Sequence, residues 1–168
     1  MPYTLAELAA DCRTALTEDS GPGGRRVVRE HVQRALKDAD FVAAHLGADN
    51  DKERSILYED PELGFCICAH VYDGPRQGTP HDHGPTWAIY GQAAGETEMT
   101  DWRIVTPPAG DAPGKVERTR SYRLVPGDAH VYEPGDVHAP LRDGPTRLIR
   151  IEGVNTDTVD RTPLEPVD

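Results

Sequence analysis

The chain has 168 residues, the size of one domain. It is 37% hydrophobic but only 6% aromatic, so an aliphatic core is expected. With 29 acidic and 18 basic residues the net charge is −11, which excludes general nucleic-acid binding and disfavours an anionic membrane surface.

The first fifty residues read as a helical lead-in. Thr4 and Glu7 fit a capping box, and Leu5, Leu8, Ala9, Cys12 and Leu16 keep helical spacing. Ser20 to Gly24 breaks the pattern; Val28, Val32, Ala35 and Leu36 resume it, and Phe41 to Leu46 adds a turn or two before a stop at Gly47. The N-terminus has no basic stretch ahead of an apolar run, so no signal peptide is expected. No apolar segment approaches the length of a membrane span. Cys12, Cys66 and Cys68 are odd in number, which suggests reduced thiols and a cytoplasmic protein. Cys66 and Cys68 read as small buried residues on one strand face, with a C-x-C metal site as the alternative.

From residue 54 to 154 the period becomes that of strands. Arg54 to Glu59 is one, and Gly64 to Tyr72 is a stronger one with Phe65, Ile67, Ala69 and Val71 on one face. Further strands are expected over 86–92, 96–105, 116–125, 129–133 and 147–154, with Pro107 to Gly114 as a loop. Gly (16) and Pro (15) punctuate nearly every gap, which favours a sandwich or small barrel. The polar stretch 155–168 is expected to pack loosely as a C-terminal tail.

His81 and His83 stand two apart in extended chain, so both imidazoles point the same way and can take adjacent positions around a metal. Two surface histidines on a solvated turn are the plainer alternative. A third histidine, His138, closes the turn Glu133-Pro-Gly-Asp-Val-His138, whose Pro134, Gly135 and Asp136 suit a sharp return of the chain.

These residues resemble the two motifs of the cupin superfamily, whose fold is a mainly β double-stranded β-helix, or jelly-roll barrel. The H-x-H is His81 and His83, a glycine follows at Gly95, and the second motif is similar to Gly135-Asp-Val-His138. Trp87 and Ala88 occupy the positions of the family's glutamate ligand, Gly74 stands one residue from the first motif's glycine, and Arg142 replaces an asparagine. The resemblance thus implies ligation by three histidines without a carboxylate. Within cupins the chain resembles the thiol dioxygenase branch (cysteine and 3-mercaptopropionate dioxygenases). The likeness lies in His81-Asp-His83, in the helical lead-in, and in Arg54, which matches an arginine that holds the substrate carboxylate. The family's Ser, His and Tyr on the last strand become Leu148, Arg150 and Glu152.

The resemblance implies iron(II) as cofactor, with O₂ and a small anionic substrate as partners. Imidazole also suits other divalent transition metals. The expected catalytic group is Arg54, Tyr58, Arg150 and Glu152, with Arg54, Trp87 and Arg150 against substrate. Each has a plainer placement: Arg54 on an exposed edge strand, Tyr58 and Trp87 packed, Arg150 and Glu152 outside the barrel. An inward Arg150 and Glu152 would have to pair with each other or with substrate. His130 is placed at the surface or near the metal, and His31, His45 and His70 at the surface. Three activities follow: thiol oxidation to a sulfinate, carbon–carbon cleavage of a chelating diketone or aromatic substrate, or metal or ligand binding without catalysis. A monomer or homodimer is expected.

Overall fold

The structure is a computed structural model and describes residues 2–167; the end residues Met1 and Asp168 lie outside it. Three helices come first: α1 (Leu5–Glu18), α2 (Pro22–Leu36) and α3 (Ala39–Leu46). The Thr4 side chain accepts from the Glu7 backbone N–H while Glu7 reaches back to the Thr4 N–H, which is the expected capping box. Asp38 caps α3 through the N–H groups of Asp40 and Phe41. Glycines 23 and 24 lie inside α2 rather than in a break. Gly24 is there because α1 and α2 nearly touch: a Cβ on it would lie 1.7 Å from the Asp19 carbonyl oxygen.

Ten strands follow: β1 (Ser55–Glu59), β2 (Cys66–Tyr72), β3 (Arg76–Gln77), β4 (Ala88–Ala94), β5 (Thr97–Thr106), β6 (Gly114–Leu124), β7 (Ala129–Tyr132), β8 (Val137–Arg142), β9 (Thr146–Glu152) and β10 (Leu164–Pro166). They form two five-stranded sheets, ordered β1-β2-β9-β4-β7 and β10-β6-β5-β8-β3. Without β1 and β10, each sheet takes strands alternately from the two halves of the chain. This is the strand order of an eight-stranded jelly roll, the expected double-stranded β-helix.

Four elements lie outside the sequence reading: the two-residue β3, β8, a 3-10 turn and β10. β8 was not anticipated because Pro140 sits in its middle, and proline is rare inside a sheet. Here its carbonyl still accepts from the Gly78 N–H at 2.8 Å. The segment after residue 154 is not loose. It makes a 3-10 turn at Thr156–Thr158, binds the loop ahead of β4 through Thr162, and ends as β10, parallel to β6.

The larger apolar core lies outside the barrel, between the helices and the first sheet. There Leu8, Cys12, Val28, Val32 and Phe41 meet Phe65, Ile67, Ile89, Ile149 and Ile151. The face of β2 expected to be apolar therefore points outward, under the helices. The barrel interior holds a smaller cluster, Ala88, Tyr90, Met99, Leu124 and Tyr132, and leaves room for polar groups. Cys12, Cys66 and Cys68 are buried and free, and burial raises the Cys66 thiol to about 11 and the other two to about 12. Among the described residues no helix is long and apolar enough to cross a membrane.

Candidate metal centre

The three histidines converge. His81 and His83 leave the loop between β3 and β4, and His138 is the second residue of β8. His81 and His138 exchange backbone hydrogen bonds at 3.0 and 2.9 Å, so an isolated bridge fixes the two ligand positions to each other. Asp82, between the first two, is buried. Its carboxylate accepts from the N–H groups of Gly84 and Thr162 at 3.0 Å and from the Thr162 hydroxyl at 2.5 Å. The ligand loop is thus tied to the segment after β9.

One nitrogen from each imidazole lies within 4.8 Å of the others, and no carboxylate belongs to the group. Nitrogens held ~2.1 Å from one cation at right angles would sit about 3 Å apart; His83 Nε2 and His138 Nε2 already lie 3.2 Å apart. His81 Nδ1 donates to the Thr79 carbonyl at 2.8 Å and His138 Nδ1 to the Asp136 carbonyl at 3.2 Å. That leaves both Nε2 atoms as bases. Arg150 Nη2, which can only donate, lies 3.3 Å from His83 Nδ1. The His83 proton therefore sits on Nε2, where the Tyr90 hydroxyl is 3.1 Å away. To ligate a cation through Nε2 as a neutral ring, His83 would shift its proton to Nδ1 and give up the Arg150 contact. Burial, aided by the positive charge of Arg150, holds His81 at about 4 and His83 at about 2, and keeps His138 far below the usual range. All three are neutral at pH 7, as a divalent metal requires. The donor set fits such an ion, and Ala88 faces the barrel interior.

A cavity of about 210 Å³ opens beside the cluster, touching His81, Tyr90 and Arg150. Its walls also carry His70, Tyr72, Arg76, Arg142 and Arg161, with Pro140 and Leu148 as apolar surface.

Of the residues expected at the site, Arg150 and Glu152 point into the barrel and are buried. Glu152 Oε2 lies 2.8 Å from Arg150 Nε, although that N–H is not aimed at it. The rest of its shell comes from Arg54, which donates two parallel hydrogen bonds of 2.9 and 2.8 Å, and from the Thr156 N–H and hydroxyl. Burial alone would raise the Glu152 carboxyl; Arg54 and Arg150 hold it at about 2 instead.

Arg54 does not reach the cavity. Its remaining contacts are to Asn155 at 3.1 Å and Asp157 at 3.2 Å, so its guanidinium is spent on protein partners. Tyr58 shares sequence parity with Arg54, but a bulge between Ile56 and Tyr58 breaks that parity. Its hydroxyl lies between Arg13 (2.7 Å) and Asp60 (2.8 Å), against α1. Trp87 packs into the outer core and not against the cavity. His130 is half-buried, stacked between Tyr122 and Tyr132, with Tyr132 separating it from His138.

Tyr90, His70, Tyr72 and Arg142 escaped the sequence reading as cavity residues, and His70 is buried rather than at the surface. The signal was strand parity: His70 and Tyr72 alternate with the apolar face of β2, and Arg142 is four residues after His138 on β8.

No family model matches the sequence, and no curated protein does. Solved structures match in outline. A cupin superfamily protein from Desulfitobacterium hafniense is 12% identical over 66% of this chain and 86% of that one, with a TM-score of 0.46. KdgF from Halomonas sp. is 19% identical over 63% and 83%, with a TM-score of 0.45. An uncharacterized conserved protein with a double-stranded β-helix domain, from Klebsiella pneumoniae, is 16% identical over 74% and 88%, with a TM-score of 0.49. The fold of this chain is a double-stranded β-helix barrel behind a helical N-terminus.

Proposed function

We propose that the protein is a mononuclear non-haem iron(II) oxygenase that adds O₂ to a small anionic thiol, giving a sulfinate. The observation that carries this reading is the meeting of three neutral imidazoles with a small cavity whose other walls carry arginine. Three histidines without a carboxylate leave a bound divalent ion its full charge, which favours an anionic donor such as a thiolate. His81, His83 and His138 would hold the ion, and iron bound there would supply the redox chemistry toward substrate and O₂. The conversion balances as thiolate plus O₂ to sulfinate: sulfur gives up four electrons and keeps both oxygen atoms. The protein's own groups would exclude bulk water, orient the substrate, and offer the Tyr90 hydroxyl beside the cluster as a hydrogen-bond donor. Iron is named from the likeness to thiol dioxygenases; the imidazole set also suits other divalent transition metals. The cavity, about 210 Å³, is smaller than the ~300–1,000 Å³ of sites for drug-sized ligands. It suits a short aliphatic thiol better than an aromatic diketone, which would otherwise use the same three-histidine set.

The test is metal analysis of the purified protein, then O₂ uptake after anaerobic iron(II) loading against short thiols and diketones. About one iron per chain and thiol-dependent uptake with sulfinate as product are expected. His81→Ala, His83→Ala and His138→Ala should each lose metal. Uptake with diketones alone, marked by loss of their chromophore, would replace thiol oxidation with carbon–carbon cleavage. Absence of uptake with every substrate would leave a binding protein.

A further inference from the structure

The cavity has a second polar end that the metal cluster does not use. Arg142, the last residue of β8, is 5% exposed and has no carboxylate partner among the described residues. Its Nε donates to the Thr97 hydroxyl at 3.2 Å, and its guanidinium lies 4.9 Å from the centre of the Tyr72 ring. These contacts fix the side chain, and among the described residues no acceptor meets its two terminal nitrogens, which face the cavity. On the opposite sheet, His70 is 4% exposed and its Nε2 has no partner. Its Nδ1 lies 3.2 Å from the Tyr72 hydroxyl. The Tyr72 hydroxyl can donate to Nδ1, which places the ring proton on Nε2 and makes it a donor toward an anion.

Burying a guanidinium without a counter-charge is expensive, and so is burying an unmet N–H. Of the other arginines on the cavity, Arg150 has the Glu152 carboxylate beside it, Arg76 pairs with Glu53, and Arg161 is exposed. At Arg142 and His70 the cost is not met among the described residues. The two side chains come from different sheets, line one space and both lie beside Tyr72.

We infer that Arg142 and His70 form a carboxylate-binding subsite, which holds the acidic end of a short molecule whose other end faces the three histidines. A carboxylate matches the planar guanidinium fork and can take the His70 N–H on a free lone pair. This assigns substrate anchoring to β8 and β2 and removes it from Arg54. Calling the bound acid the substrate rests on the proposed oxygenase reading; binding of a carboxylate at this place does not.

The test is calorimetric titration of the full chain with propionate, on protein as purified and after metal removal by a chelator, with propionamide as the uncharged control. Propionate is expected to bind both forms and propionamide neither. Arg142→Met should weaken propionate binding at least tenfold, Arg142→Lys less, and His70→Phe, which keeps the ring volume, about threefold or more. Equal binding of propionate and propionamide would overturn the subsite, as would unchanged propionate affinity in Arg142→Met. A measurement on the unsubstituted protein guards against misfolded variants. The ¹⁵N signal of His70 Nε2, assigned by its loss in His70→Phe, should move and saturate with propionate; a signal that stays still overturns the proposal. Propionate binding without any O₂ uptake would sink the oxygenase reading and leave the subsite standing. Thiol-dependent uptake that is insensitive to Arg142→Met would overturn the anchoring of substrate by Arg142 and leave the oxygenase reading standing.

Discussion

At the scale of single residues, Glu152 organises the polar interior. It is fully buried and ties Arg54, on the edge of the first sheet, to Arg150, which touches His83. Removing one member of such a network strands the other charges, at a cost of about 3–5 kcal/mol. Glu152→Gln should therefore lower stability by that order, read from urea unfolding at pH 7. The pH dependence has a defined sign. The Glu152 carboxyl is held at about 2 against an ordinary 4.5. A depressed carboxyl contributes its full stabilisation above the unfolded value and loses it as pH falls through the folded one. The contribution is of order 3 kcal/mol, present above pH ~4.5 and gone below pH ~2. Unfolding curves taken from pH 6 to pH 2 should decline more steeply for the unsubstituted protein than for Glu152→Gln. Parallel curves would remove Glu152 from this role.

At the scale of elements, two junctions set the geometry. One is the contact of Asp82 with Thr162, which fastens the ligand loop to the chain beyond β9. Thr162→Val keeps the backbone N–H bond and removes the hydroxyl one. Groups that orient metal ligands typically account for about 10–100-fold in affinity. Thr162→Val is expected to weaken metal binding roughly tenfold, measured by competition with a chromogenic chelator, with little change in fold by circular dichroism. The other junction is Gly24, where α1 and α2 meet. A methyl group there would lie 1.7 Å from the Asp19 carbonyl oxygen, so Gly24→Ala must push the helices apart. A loss of about 1–3 kcal/mol is expected from overpacking of this kind, again by urea unfolding.

How much of this was legible in the sequence follows from the same elements. The capping box of α1 could be read from Thr4 and Glu7, and the helical spacing and the apolar face of β2 because one face of each element is apolar. The histidine cluster could be read because H-x-H in extended chain and a turn ending in His138 are local features. The other side of the cavity could not. In β2 both faces are buried, so the polarity of His70 suggested solvent where the fold places a barrel interior. β8 was hidden by Pro140, and with it the inward position of Arg142. The bulge in β1 separated Tyr58 from Arg54, a change of register that residue types do not announce.

At the scale of the whole molecule, stability and chemistry are assigned to different faces of one sheet. Ile149 and Ile151 point from β9 toward the helices, while Leu148, Arg150 and Glu152 point from the same strand into the barrel. Alternation along the strand makes this division possible, and the helical layer makes it affordable, because it supplies an apolar core that the cationic cavity cannot. The two faces should therefore respond to substitution in opposite ways. Ile151→Ala empties a fully buried site in the outer core and should cost about 2–5 kcal/mol. It should still leave a folded protein that binds one metal per chain below its lowered melting point. His138→Ala removes a neutral ring from the polar interior. It should abolish metal binding while costing less stability than Ile151→Ala in protein stripped of metal. Melting temperature and metal content, measured on both variants, decide the matter. If Ile151→Ala loses metal in its folded state, the outer core also positions the ligands and the division fails. If His138→Ala is the less stable of the two without metal, the histidine cluster is a structural core in its own right.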